Sequence, residues 1–323
     1  MREGAGPLPP LARGVFDRDY RSRSQADLLL DLERNPDARI LPLWRGRTLL
    51  DGDVVRLLGP IDASGVLLSC YLGRTIGEIR DTPAGAPVRL VVLDDDAAAA
   101  LEPDDAGWRG LRDAAGDLGD ESAALVTAAV ALANWHLSNS RCPRCGGTTL
   151  IEQAGWSRRC VDCNNELFPR TDPAIIVVVN DAADRILLGS NVLWEQGRYS
   201  LLAGFVEAGE SLEQAVVREI GEECGLRVID PRYCASQPWP FPRSLMLGFQ
   251  ATVAPGQDPD ALEPDGDEIV DLRWFTREDL RGGEGFTLPG SSSIARLLID
   301  QWLTADGGPG LDPSPITATD VRR

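Results

Sequence analysis

Histidine is almost missing: His136, inside "VALANWHLSNS", is the only one in 323 residues. Without a second imidazole, a histidine-based metal site is excluded and a nucleophile–histidine triad has one candidate base at most. His136 itself reads as a residue on a helix surface or in packing rather than in catalysis. Long apolar runs are also absent, none approaching the roughly 20 residues that cross a bilayer. No basic stretch followed by an apolar one opens the chain, so no secretory segment is expected and the expected compartment is the cytoplasm. Positive charge is short, with 32 basic residues against 50 acidic ones and a net charge of -18. Such a chain repels polyanions at long range, which disfavours a non-specific nucleic-acid binder, and a phosphate ligand would need metal ions beside it.

The length suits two domains, with room for a small insert. Residues 1–25, rich in Pro, Gly and Arg, read as a flexible arm. Between Arg39 and Leu93, "ARILPLWRGRTLL", "GVLLSCYLG" and "APVRLVVL" are short apolar runs broken by turn residues, which predicts strands and hairpins in a mixed α/β domain over 26–138. An Ala-rich helix is predicted from Glu121 to Leu137. Further on, Ala174 to Val179 is a β-branched run expected to be buried on both faces. "DRILLGS" reads as its hairpin partner, and "YSLLAGFVEAG" as a third strand ending in a turn. "SLEQAVVREIGEECG" predicts a helix with Ser211 and Gln214 as a capping box and Gly225 at its end. Strands are also expected at "SLMLGFQATV" and "EIVDLRWF", a closing helix at "SSSIARLLIDQWL", and a disordered tail over 307–323.

The chain has seven cysteines. Cys70, Cys224 and Cys234 stand alone and are expected to be buried thiols. Cys142-x-x-Cys145 and Cys160-x-x-Cys163, with fourteen residues between the pairs, have the spacing of a four-thiolate zinc ribbon, over 139–169. Four protein ligands close the coordination sphere, so this zinc is structural. A redox pair is the alternative reading of the cysteines, and a nucleic-acid-binding ribbon is another, because "RCPRCGG" and "SRRC" are locally basic.

Glu219, Glu222 and Glu223 fall at i, i+3 and i+4 on the predicted helix, so their carboxylates share one face beside the apolar stripe of Leu212, Val216 and Ile220. Arg218 can offset one of them. The excess negative charge calls for divalent cations, and oxygen ligands favour Mg²⁺ or Mn²⁺ over zinc. Gly204, Glu210, Arg218, Glu219, Ile220, Glu222, Glu223, Gly225 and Leu226 stand at the spacing Gly-x₅-Glu-x₇-Arg-Glu-Ile-x-Glu-Glu-x-Gly-Leu. This segment resembles the Nudix hydrolases, and "SQPWPFPRSLM", the ribbon ahead of it and "LPGSSSIARLLID" after it resemble the NADH pyrophosphatase subfamily over roughly 135–303.

The resemblance implies a fold and a chemistry. The fold is α+β: a Nudix α/β/α sandwich with a mixed sheet over 170–306, preceded by the zinc ribbon and an N-terminal NADH-pyrophosphatase-like domain. The activity is hydrolysis of the pyrophosphate bond of NADH or NAD⁺ to nicotinamide mononucleotide and AMP, or removal of NAD caps from RNA 5′ ends. Glu219, Glu222, Glu223, Glu268 and the Ala203 carbonyl would hold the metal ions, Glu223 would accept the proton of water, and Arg218 would position the glutamates. Adenine would stack between Phe205 and Phe168, the latter from the other subunit of a homodimer. Gln237, Pro238, Trp239, Pro240, Phe241, Pro242, Arg243, Ser244 and Ala295 would line the rest of the site. For RNA, Arg141, Arg144, Arg158 and Arg159 form the expected local basic patch. The alternatives are a Nudix hydrolase for another nucleotide such as ADP-ribose, and a non-catalytic zinc-ribbon protein.

Overall fold

The computed structural model describes residues 8–61 and 64–305, and the chain divides into two units. One takes Pro10–Thr171 with the short segment Pro238–Arg243; the other takes Asp172–Gln237 and the chain from Ser244 on.

The N-terminal unit is built on strand pairs from the apolar runs. α1 (Leu28–Arg34) precedes β1 (Arg39–Leu43), β2 (Arg47–Asp51), β3 (Val54–Val55), β4 (Val66–Arg74) and β5 (Pro87–Leu93), and α2 (Asp95–Leu101) leads to β6 (Trp108–Gly110). One sheet runs β1-β5-β4, with β1 parallel and β4 antiparallel to β5, and a second runs β3-β2-β6. Every position of β5 is buried, because Val88, Leu90 and Val92 face one apolar cluster while Val91 and Leu93 face another. α3 (Leu111–Ala114) and the long α4 (Asp120–Ser138) close the first cluster. Short Ala side chains let α4 be buried over most of its circumference. Part of the segment read as a flexible arm is packed: Leu11 and Phe16 are buried in this core and Asp17 bridges to Arg74, while Leu8, Val15 and Tyr20 stay exposed. Lone apolar residues among Pro, Gly and Arg carry no periodic signal, which is why sequence missed it. The ribbon adds β7 (Thr149–Glu152), β8 (Ser157–Cys160) and β9 (Glu166–Leu167), all antiparallel.

The C-terminal unit carries β10 (Asp172–Asn180), β11 (Ile186–Asn191), β12 (Leu202–Phe205), α5 (Leu212–Cys224), β13 (Val228–Trp239), β14 (Ser244–Val253), β15 (Ile269–Phe275), α6 (Arg277–Gly282) and α7 (Ile294–Thr304). Its sheet runs β13-β14-β10-β11-β15, with β12 also on β10. The sheet is mixed: β14 lies parallel to β10 from Asp172↔Ser244 to Asn180↔Thr252, and β11 and β12 lie antiparallel to it. Alternation along β10 sorts the core. Ile175, Val177 and Val179 pack with Ala215, Val216 and Ile220 of α5, while Ile176 and Val178 pack with Ile294, Leu298 and Ile299 of α7. The sheet is thus filled on both faces, the α/β/α sandwich expected. Sequence missed β13, whose Pro231 and Pro238 argue against a strand interior. Of the lone cysteines, Cys70 and Cys224 are buried, but Cys234 on β13 is exposed, on the face opposite its buried neighbour Ala235. The expected disordered tail lies outside the described residues.

Candidate active site and metal centre

The helix of the motif is fixed at both ends before any acid is placed. The Ser211 hydroxyl accepts from the Gln214 amide at 3.2 Å, the Gln214 side chain returns a bond to the Ser211 amide at 2.8 Å, and Gly225 closes the helix at φ 74. Val216 and Ile220 are wholly buried. That anchoring sets the rotation of α5 and so fixes where Glu219, Glu222 and Glu223 point.

Arg218 does more than offset one carboxylate. Its Nε and Nη2 donate to Glu210 at 3.1 and 2.6 Å, its Nη1 donates to Glu219 at 2.9 Å and Glu222 at 2.8 Å, and Nη2 also donates to the Phe205 carbonyl at 3.0 Å. A guanidinium has five N–H bonds, and all are used. Glu210 in turn accepts the Glu207 amide at 2.7 Å, which shapes the loop. The Arg218 side chain therefore positions the glutamates and has nothing left to offer a phosphate. Acid–base contact with Glu210 raises its pKa above the ordinary arginine value. Helical spacing reveals Glu222, but Glu210 is a loop contact that periodicity cannot show.

Gly204 is more than a turn residue. It lies in β12, and a Cβ there would stand 2.0 Å from the Glu219 carboxyl carbon. The glycine is what lets Glu219 lie flat against the strand, next to Ala203. Glu223 is 4% exposed, and its Oε2 is buried without a hydrogen-bond partner. Burial first, and then the charges of Glu219, Glu268, Asp265 and Glu222, push its carboxyl up to about 8. Burial also raises Glu219, against the opposing pull of Arg218. Glu268 stands just ahead of β15, its amide held by Asp265 at 3.1 Å and its carbonyl accepting from Val192 at 2.9 Å. A buried carboxylate oxygen without a hydrogen-bond partner, under the charge of Glu219, Glu268, Asp265 and Glu222, fits a divalent cation.

Around this centre Phe205, at the end of β12, leaves a ring 59% exposed. A cleft of about 730 Å³ is lined by Asn191, Trp194, Gln196, Tyr199, Val270 and Asp271 among others, a size suited to a small-molecule ligand. Sequence did not single these residues out, and only the pairing of Trp194 with Tyr199 in one loop hints at them. Gln237 is fully buried, its amide bonding the Ser292 carbonyl and the Ile294 amide, both at 2.8 Å, at the start of α7. Ala295 lies in the apolar core with α7, and Ser244 opens β14.

In the N-terminal unit, Phe168 is 64% exposed. Trp239 and Phe241 meet edge to face with centroids 5.0 Å apart, packed on the core, and the Arg112 guanidinium lies 5.6 and 4.7 Å from their rings. The Asn134 side-chain amide donates to the carbonyls of Pro240 and Pro242 at 3.0 and 3.2 Å. Pro238 and Arg243 bound this held turn.

The four motif cysteines bring their sulfurs within 4.8 Å of one another, with Cys142–Cys163 at 3.7 Å and Cys145–Cys160 at 3.4 Å and no disulfide. Tetrahedral zinc–thiolate bonds of about 2.3 Å require sulfurs about 3.8 Å apart, so the donor set fits zinc. The knuckles turn at Gly146, φ 79, and Asn164, φ 55. Of the basic patch expected around them, Arg141 and Arg144 are exposed, but Arg158 and Arg159 are engaged internally. Arg158 is buried, donating to His136 Nδ1 at 2.8 Å and to Thr149, and Arg159 pairs with Glu152 and Glu166. His136 is a packing residue, as one of the two readings had it, with Nε2 on the Gly155 carbonyl at 2.9 Å.

The NUDIX domain profile matches residues 170–296, the NADH pyrophosphatase zinc ribbon profile 137–168, and the NADH pyrophosphatase-like rudimentary NUDIX profile 37–135. The chain is 41% identical over 320 residues to the NAD-capped RNA hydrolase NudC of Mycobacterium bovis, covering 93% of this chain and 96% of that one. It is 38% identical over 201 residues to the human NAD-capped RNA hydrolase NUDT12, covering 58% of this chain and 43% of that one. A solved Nudix hydrolase from Nitrosomonas europaea aligns at 23% identity and TM-score 0.42, covering 54% of this chain and 96% of the other. No helix among the described residues is long and apolar enough to cross a membrane. With a glutamate helix held by one saturated arginine and a four-thiolate ribbon ahead of it, the chain belongs to the Nudix hydrolases of the NADH pyrophosphatase family.

Proposed function

We propose that the chain hydrolyses the pyrophosphate bond of NADH and NAD⁺ to nicotinamide mononucleotide and AMP, and removes NAD caps from RNA 5′ ends. The observation that carries this reading is Glu223, buried with an unpartnered oxygen amid Glu219, Glu222 and Glu268. Bound Mg²⁺ or Mn²⁺ would neutralise the phosphate oxygens, polarise phosphorus and acidify an attacking water. Arg218 keeps Glu219 and Glu222 at fixed positions for that charge, and Gly204 gives Glu219 its place against β12. Glu223, held well above the usual carboxylate range, is suited to accept the proton of water. Phe205 offers its exposed ring to the adenine, with Phe168 of a second copy on the other face in a homodimer. Ser244 and the segment around Gln237 and Ala295 would border the remainder of the ligand, Gln237 and Ala295 through the backbone their packing fixes. Seven unbonded cysteines suit a reducing compartment such as the cytoplasm.

The test is turnover of NADH, NAD⁺, NAD-capped RNA and ADP-ribose with Mg²⁺ or Mn²⁺, for the parental chain and for a Glu219→Gln/Glu222→Gln/Glu223→Gln variant. NADH or capped RNA cleaved far faster than ADP-ribose, and lost in the variant, supports the reading. Equal rates in the variant sink it.

A further inference from the structure

This chain has no lysine, so all 32 of its cations are arginines. Many are matched by acids, as Arg45 is by Asp95, Arg47 by Asp105 and Arg185 by Asp181. Arg18, Arg21 and Arg23 are different. Among the described residues none of the three forms an ion pair, although they lie within six residues of one another in a protein of net charge -18.

Their surroundings are aromatic. The Arg23 guanidinium lies 3.6 Å from the Trp156 ring centroid and Arg18 lies 5.5 Å from the same ring, with Arg18 also 4.9 Å from Phe16. Arg21 lies over Tyr20 at 5.7 Å, and Tyr20 is 69% exposed. Trp156 is held in place by its indole N–H on the Tyr71 carbonyl at 2.7 Å. Two cations on one indole repel each other. Burial, and then the charge of Arg18, push Arg23 down to about 10, and its Nε is buried with no hydrogen-bond partner. The charge of the nearest acid, Asp19, opposes this only as a smaller effect, and its Oδ2 is already taken by the Tyr71 hydroxyl at 2.8 Å and Arg74 at 3.1 Å. Asp17 accepts the Asp19 amide at 2.8 Å. Among the described residues no carboxylate forms an ion pair with Arg18, Arg21 or Arg23, and the exposed Tyr20 ring stands beside them.

The geometry points to a surface for single-stranded RNA, in which Arg18, Arg21 and Arg23 take backbone phosphates and Tyr20 stacks a base. Alternating guanidinium and aromatic groups are the usual chemistry of sequence-tolerant strand binding. The inference rests on the reading of the substrate as NAD-capped RNA and gives the RNA strand contacts of its own; of the ribbon arginines, Arg158 and Arg159 are internally bonded.

The test uses the full chain, a Arg18→Gln/Arg21→Gln variant and a Tyr20→Ala variant. Anisotropy with a 5′-hydroxyl, fluorescein-labelled single-stranded RNA dodecamer measures binding without a cap. Steady-state kinetics on NADH and on NAD-capped RNA measure turnover. The double variant is expected to bind the oligomer roughly tenfold more weakly at low salt, and its slope of log Kd against log salt falls by about 1.4, since each lost phosphate contact removes about 0.7. Its KM for capped RNA rises while NADH kinetics stay parental. Oligomer binding or capped-RNA KM unchanged in both variants overturns the inference, and so does displacement of the oligomer by inorganic phosphate at matched ionic strength. A parental chain that binds the oligomer through these residues yet turns over neither substrate supports the surface and refutes the hydrolase reading separately.

Discussion

Replacing Glu223 by Gln is expected to strengthen the fold while removing the activity. The acid is buried, with a folded pKa of about 8 against 4.5 when free. Because the folded value is raised, the unfolded chain releases this proton first as pH climbs. The penalty therefore begins near pH 4.5, grows through neutrality and is complete above about 8. Worked through, it reaches about 3 kcal/mol at pH 7 and about 5 kcal/mol at high pH. Glutamine keeps the shape without ionising, but its buried amide leaves polar atoms unsatisfied, which returns about 1–3 kcal/mol of that gain. A net stabilisation of about 2 kcal/mol at pH 8.5 remains, worth several degrees in melting temperature. The assay is thermal unfolding in chelator at pH 5 and pH 8.5, repeated with Mg²⁺. The parental protein should melt lower at pH 8.5 than at pH 5 and recover on adding Mg²⁺; the variant should melt higher at pH 8.5, respond little to Mg²⁺ and lose turnover of NADH. Equal melting of the two proteins in chelator at pH 8.5, or an equal response to Mg²⁺, would show that Glu223 is neither strained nor a ligand.

Gly204→Ala should displace Glu219, since the added carbon would meet its carboxyl at 2.0 Å; turnover falling at least a hundredfold, with near-parental melting, is the expected result. Gln237→Leu should cost about 2–4 kcal/mol through two buried partners left unpaired at Ser292 and Ile294, and denaturant unfolding measures it. Stripping zinc with a strong chelator, or Cys160→Ser, should unravel the ribbon, which draws on the order of 10 kcal/mol from its metal; loss of one zinc per chain by elemental analysis with a change in Trp156 fluorescence reports it.

What sequence made legible is local. The motif helix was readable because its caps, apolar stripe and acids all lie within one stretch, and the ribbon because its spacing is itself the constraint. Arg218 shows the limit: its partner one helical turn away is implied by periodicity, but Glu210 and the Phe205 carbonyl join it only through the folded loop. Gly204 reads only as a motif position in a strand until Glu219 is found lying on it. Arg158 looks like surface charge in "SRRC" and is buried because His136, from a distant helix, accepts a hydrogen bond from it. Leu11 and Phe16 give no pattern of their own and find a core built by residues far along the chain.

The pairing of His136 with Arg158 has a spectroscopic consequence. A guanidinium only donates, so Nδ1 must carry the lone pair and Nε2 the hydrogen that meets the Gly155 carbonyl. Burial keeps that ring neutral down to about pH 4. Since no other imidazole exists in the chain, a nitrogen-15 histidine label yields a single pair of ring-nitrogen signals that resolves the tautomer, a built-in beacon for whether the cysteine module is seated.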